Sequence, residues 1–135
     1  MRVLLVGPTG NMGLRLMASL LTHGHSVTVY VRSARKLESL VPASIFSQLT
    51  IVEGDALDSS AIKEAIIDKN CDGVVNSAGV AALAPWGKST LPQIFKAVLD
   101  GALAASEETK TPLRVWFMGG LGVLYFPGTE TMLST

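Results

Sequence analysis

The sequence predicts an α/β fold, a doubly wound parallel sheet with strand order 3-2-1-4-5 and helices on both faces. Three observations predict it. Strand-like and helix-like segments alternate five times along the chain, with short connections. The first strand is a continuous apolar run rather than an alternating one, the pattern of a strand covered on both faces. Glycines crowd the junction between that strand and the first helix, where such folds turn tightly. Parallel strands need crossover helices, and right-handed crossovers carry the order 3-2-1-4-5.

Each element can be justified in turn. Residues 3–6, Val-Leu-Leu-Val, end at Gly7-Pro8 and form the first strand. Residues 11–23 predict a helix, with Leu14, Met17, Ala18 and Leu21 at three- and four-residue spacing and Gly24 as its C-terminal glycine. Residues 27–31, Val-Thr-Val-Tyr-Val, are β-branched and aromatic and make the second strand. A short helix over 34–40 is stopped by Pro42, and Thr50-Ile51-Val52-Glu53 gives a short third strand. Asp58 or Ser59 caps a helix reaching about residue 69, with Ile62, Ala65 and Ile66 facing inward. Residues 72–76 are the fourth strand, 91–105 the fourth helix with Pro92 near its first turn, and 113–118 the fifth strand.

Composition narrows the function classes. A chain of 135 residues fits one domain of the usual ~100–200 residues, here read as spanning 1–135. Hydrophobic content is 48% against 16% charged, which suits a sheet covered on both sides. Eleven lysines and arginines balance 11 aspartates and glutamates, so there is no electrostatic footprint for nucleic acid or an anionic membrane. No stretch approaches the ~20 apolar residues of a membrane span, and the apolar run at the N-terminus falls short of the ~7–15 residues of an export signal core. A lone cysteine, Cys71, forms no internal disulfide, so a reducing, cytoplasmic setting is expected.

The residues that carry chemistry lie at the carboxyl ends of the strands, where ligands bind in open α/β sheets. Gly7, Gly10 and Gly13 follow the first strand. Gly7 allows the tight turn, Gly10 lets backbone approach a pyrophosphate, and Gly13 lets the helix pack on the strand. With Thr9, Asn11 and Met12 they form a phosphate-binding turn of the Rossmann type, in which free N–H groups and the helix dipole hold the anion; a purely structural turn is the alternative. Arg32 and Ser33 close the second strand, with Arg35 and Lys36 following. An acidic residue there would accept bonds from the ribose of NAD, whereas arginine clamps the 2′-phosphate of NADP. NADP(H) is therefore the expected cofactor, with NAD(H) as the other candidate and a solvated basic turn as the bland reading.

Asp55 and Ala56 follow the third strand, where the carboxylate either accepts a bond from the adenine amino group or serves as a turn residue. Asn76, Ser77, Ala78 and Gly79 follow the fourth, and their small side chains let backbone lie against the ribose and nicotinamide; a plain tight loop would look similar. The pattern Gly-x-Thr-Gly-x-x-Gly, arginine after the second strand, Gly-Asp after the third and Asn-x-Ala-Gly after the fourth resembles the atypical short-chain dehydrogenases/reductases. Within them it is similar to the NmrA-like and NAD(P)H-binding group, with its NADH-flavin reductase-like members. The stretch from Met118-Gly119-Gly120 through Tyr125 to Pro127-Gly128-Thr129 is similar to a segment of the flavin-reductase-like members.

That resemblance implies an NADPH-dependent reductase passing hydride to a flavin-like or other conjugated acceptor. The alternative it implies is an NADP(H)-binding sensor of the NmrA-like type without turnover. It also implies that the C-terminal substrate-binding part of the family is missing. The tyrosine with a lysine four positions later that classical members of the superfamily use is absent: Ala34 stands at that offset from Tyr30 and Thr129 from Tyr125. The catalytic residues and the small-molecule substrate are thus unassigned. Trp86 and Lys88 offer a pocket wall and an anion contact, or a loop anchor and a solvated charge, while Tyr125 is a candidate proton donor. His23 and His25 lie at the far end of the sheet, and two histidines and one cysteine without ligand spacing argue against a metal. Cys71 reads as a buried, inert thiol, and Trp116 and Phe117 as core. An apolar flank beside the fifth strand would offer a route to a homodimer.

Overall fold

Two apolar side-chain sets alternate along the first strand, and they organise the sheet. A computed structural model describes residues 1–77, 91–117 and 128 of the chain, with Asn11 and Leu91 as backbone only. Its five parallel strands are β1 (Arg2–Val6), β2 (Ser26–Val31), β3 (Thr50–Glu53), β4 (Gly73–Asn76) and β5 (Arg114–Phe117). Their order is β3-β2-β1-β4-β5, with Val6 in register with Tyr30 on one side and Asn76 on the other. The helices are α1 (Asn11–Thr22), α2 (Ala34–Leu40), α3 (Ala43–Phe46), α4 (Ser59–Asp68) and α5 (Leu91–Thr109).

Leu4 and Val6 point to one face, where they pack with Tyr30, Val74 and the inward residues of α4 and α5. Leu5 points to the other, into a cluster with Val27, Val29, Val31, Met17 of α1 and Leu37 of α2. Both sets are almost wholly buried, as a doubly covered sheet requires. The α4 and α5 helices approach closely because residue 101 is glycine: a Cβ there would press on the Ser59 carbonyl oxygen at 2.8 Å and on Ile62.

The predicted architecture and order are the observed ones, and three details differ. The α3 turn was not anticipated; it starts at Pro42, whose fixed φ suits a helix entry, and it is too short to show a periodicity. The α5 helix runs past Ala105, where its apolar spacing ends, through a polar last turn in which Glu108 pairs with Lys63 of α4 at 2.6 Å. Trp116, expected in the core, is 45% exposed. It lies on an edge strand and packs beside Gly73, on the face opposite the one where Val115 and Phe117 join α4 and α5. Among the described residues, no helix is long and apolar enough to cross a membrane.

Burial sets the expected energetics. Leu4→Ala should cost about 2–5 kcal/mol in urea unfolding, because it empties the centre of the sheet, while Leu103→Ala on the exposed side of α5 should stay within about 0.5 kcal/mol.

Candidate functional site

The carboxyl ends of β1, β2, β3 and β4 surround a crevice of about 490 Å³, at the point where the strand order reverses on either side of β1. Its floor is the turn between β1 and α1. Gly7 has φ +80°, a left-handed conformation that glycine adopts without strain. A Cβ on Gly13 would overlap the Gly7 carbonyl oxygen and come within 2.8 Å of the Pro8 Cα, so α1 rests directly on the turn. A Cβ on Gly10 would meet nothing within 4 Å among the described residues.

The α1 helix starts with extended Gly10 as its N-cap, and Leu14 N donates to the Gly10 carbonyl at 2.9 Å. The N–H groups of Asn11, Met12 and Gly13 have no partner within the helix, and its first turn carries no acidic side chain. The positive end of the helix dipole is therefore left uncompensated. Gly7, Thr9 and Gly10 line the crevice, whereas Met12 is an exposed first-turn residue.

The end of β2 makes a second wall. Arg32, Ser33 and Lys36 line it. Ser33 caps α2, its hydroxyl accepting from Lys36 N at 3.2 Å, and the Glu53 carboxylate accepts from Ala34 N at 2.9 Å. The Glu53 carboxylate beside this wall is thus tied to backbone. The Arg32 and Lys36 side chains are exposed and make no hydrogen bond or ion pair with the described residues.

The turn after β3 forms the third wall, and Tyr30 holds it. Gly54 N donates to the Val31 carbonyl at 2.8 Å, and the buried Tyr30 hydroxyl donates to the Asp55 carbonyl at 2.8 Å. The Tyr30 pKa is pushed up to about 12, by burial first and by the Asp58 and Asp55 carboxylates next. Gly54 lies on the tyrosine ring so closely that a Cβ would overlap its hydroxyl. Asp55 shows the turn role: one carboxylate oxygen accepts from Leu57 N at 2.9 Å, while the other has no partner among the described residues. Ala56 lines the crevice, and its N–H likewise has no described partner.

At the end of β4, Asn76 is buried and Ser77 reaches back to β1. The Ser77 hydroxyl donates to the carbonyls of Val6 and Gly7 at 3.0 and 3.1 Å, and its N–H to Val6 at 2.9 Å. Ala78 and Gly79 lie outside the described residues, as do Trp86, Lys88, Gly119, Gly120 and Tyr125. The structure therefore gathers Gly7, Thr9, Gly10, Arg32, Ser33, Ala56 and Ser77 around one space, with Gly13 and Asn76 supporting it from behind.

Sequence reasoning missed Tyr30, whose aromatic ring signalled only a strand, and Glu53, which read as the last residue of one. It also missed Ile94 of α5, which helps close the crevice. At the other end of the sheet, a His23 ring nitrogen lies 2.7 Å from the Ser19 carbonyl and His25 lies 3.1 Å from the terminal amine. Burial pushes the pKa of the Cys71 thiol up. Among the described residues no cluster is placed to hold a metal.

A family model described as NAD(P)H-binding matches residues 7–125. No curated protein matches the chain by sequence. Solved structures share its fold: serine dehydrogenase from Escherichia coli, at 22% identity and TM-score 0.70, covers 95% of this chain, which spans 66% of that one. ChuY, an anaerobillin reductase from Escherichia coli O157:H7, has 22% identity and TM-score 0.65, with coverage of 90% and 52%. The enzyme WbmG from Bordetella bronchiseptica, in complex with NAD and UDP, has 21% identity and TM-score 0.65, with coverage of 96% and 41%. The chain thus spans less than two thirds of each of these structures.

Two measurements check this geometry. Gly13→Ala should destabilise the chain by about 1–3 kcal/mol in thermal unfolding, as overpacking does. Tyr30 should ionise only near pH 12 in an ultraviolet absorbance titration, a step absent in Tyr30→Phe. Because its folded pKa lies above the ordinary 10.0, the stability it contributes is complete below pH 10 and is lost as pH rises towards about 12.

Proposed function

We propose that this chain, which belongs to the NAD(P)H-binding family, holds NADPH in preference to NADH and serves an oxidoreductase that passes hydride to a flavin-like or other flat conjugated acceptor. The observation that carries the cofactor choice is the second wall. Two cationic side chains without described partners, Arg32 and Lys36, line the end of β2, and no acidic side chain lines the crevice there. A planar guanidinium beside an ammonium suits a phosphate dianion on the adenosine ribose, and offers no acceptor to the paired hydroxyls of NADH.

The other walls fit the rest of the molecule. The N–H groups at the start of α1 suit the pyrophosphate, and a side chain at Gly10 would stand where that group has to approach. The Asp55 oxygen and the Ala56 N–H that have no partner among the described residues would supply the acceptor and donor that adenine's amino edge requires. Ser77 keeps the end of β4 against the phosphate turn, and Ala78 and Gly79 are the small residues expected on the nicotinamide side. Hydride transfer is the chemistry the nicotinamide supplies when bound, and the protein contributes position and electrostatics. The reductase and dehydrogenase named among the structures of this fold support redox chemistry, and WbmG in complex with NAD supports a dinucleotide.

A second reading, a sensor of the NADP(H) pool without turnover, is favoured by one observation. The Tyr30 hydroxyl is committed to the Asp55 carbonyl and serves no acceptor as a proton donor. A reductase of this kind would let the acceptor take its proton from solvent.

Titration with NADPH, NADH and their oxidised forms tests both. Arg32→Ala should weaken NADPH by about 10- to 100-fold, the worth of a hydrogen bond to a charged group, and leave NADH unchanged. Equal binding of NADPH and NADH by the unaltered chain would overturn the cofactor choice. Oxidation of NADPH by flavins supports the reductase; a sharp preference for one redox form with no turnover supports the sensor.

A further inference from the structure

We propose that Tyr30 is a positioning residue that sets the adenine-reading edge of the crevice, an inference that rests on the dinucleotide reading above. The turn over residues 54–56 emerges from β3, a four-residue edge strand, and has few other restraints. Its Asp55 carboxylate and Ala56 N–H can face the same base edge only if the backbone between them is fixed. Three contacts fix it to the end of β2. Gly54 N donates to the Val31 carbonyl, the Gly54 backbone lies on the Tyr30 ring, and the Tyr30 hydroxyl donates to the carbonyl of Asp55 itself.

Only the last acts beyond Gly54, at the residue whose carboxylate and whose following N–H do the reading. The Asp55 carbonyl also accepts from Asp58 N at 3.0 Å, so the same oxygen joins the turn to the cap of α4. Tyr30 is two residues before Arg32 on one strand. A displacement of the 54–56 turn therefore changes the adenine edge while the arginine stays in place.

The experiment compares the affinities of NADPH, NADH and the hypoxanthine analogue of NADPH, in which a carbonyl oxygen replaces adenine's amino group and the ring nitrogen beside it gains a proton. Both partners at Asp55 and Ala56 then mismatch. The unaltered protein should favour NADPH over the analogue by at least about fivefold, the worth of one net hydrogen bond. Tyr30→Phe keeps the ring under Gly54 and removes the hydroxyl; it should bring that ratio close to one while the preference for NADPH over NADH persists.

Gly54→Ala, whose Cβ would overlap the same hydroxyl, should cause the same loss and carries the test if Tyr30→Phe fails to fold. A folded Tyr30→Phe that keeps the full base preference, whatever its melting temperature, overturns the role of Tyr30 and leaves the cofactor reading intact. Loss of both preferences together also overturns it, because the effect is then a general loosening. If the unaltered protein ignores the base change, the adenine reading itself has failed and the inference falls with it.

Discussion

The arrangement depends on one contact without side chains, the seating of Gly13 in α1 on the carbonyl of Gly7. Backbone touches backbone there, so the first helix begins directly over the end of the central strand. The unpartnered N–H groups of its first turn then come to the space between β2 and β4, where the strand order reverses. A larger residue at 13 would tilt the helix off the strand and move those donors with it. The left-handed φ of Gly7 is the other half of the same requirement, since the chain must reverse within one residue of the sheet.

The crevice walls are then joined to this floor and to one another by short hydrogen bonds. Ser77 ties β4 to the end of β1, Gly54 ties the third strand to the second, and Glu53 and Ser33 supply the first-turn donors of α2 with acceptors. The Glu53 carboxylate is held at the start of α2 in this way, and no described acidic side chain pairs with Arg32 or Lys36, the two cations that line the crevice. The chain as a whole carries equal numbers of positive and negative side chains, so this local imbalance acts at contact range. At physiological salt, exposed charges are screened beyond about 8 Å.

Much of this was legible in the sequence because it is written in local signals. The two-sided burial of β1, the glycine spacing, the Asp58 cap of α4 and the arginine at the end of β2 each depend on a few adjacent residues, and each lies where expected. The parts that were not legible depend on long-range placement. Tyr30 looks like any strand aromatic until β3 brings Asp55 over it, 25 residues later. Asp55 offered two roles from sequence, and the structure shows one oxygen in the turn role. Trp116 looked like core because it is a large aromatic on a strand; on the edge strand β5 it is 45% exposed.

The same long-range contact bears on what the site does. Classical members of the superfamily that the sequence resembles use a tyrosine with a lysine four positions later. The tyrosine at the crevice wall here is neutral up to about pH 12 and holds backbone. It has no lysine four residues on, and it lies on the β2 side of β1 rather than towards β4. Its chemistry is spent on shape. On the function proposed above, such a crevice would select its dinucleotide through Arg32, the α1 donors and the turn after β3, and an acceptor would take its proton from solvent. On that proposal, an acceptor whose reduced form is stabilised by conjugation suits the site better than a simple carbonyl, because hydride can arrive before the proton does.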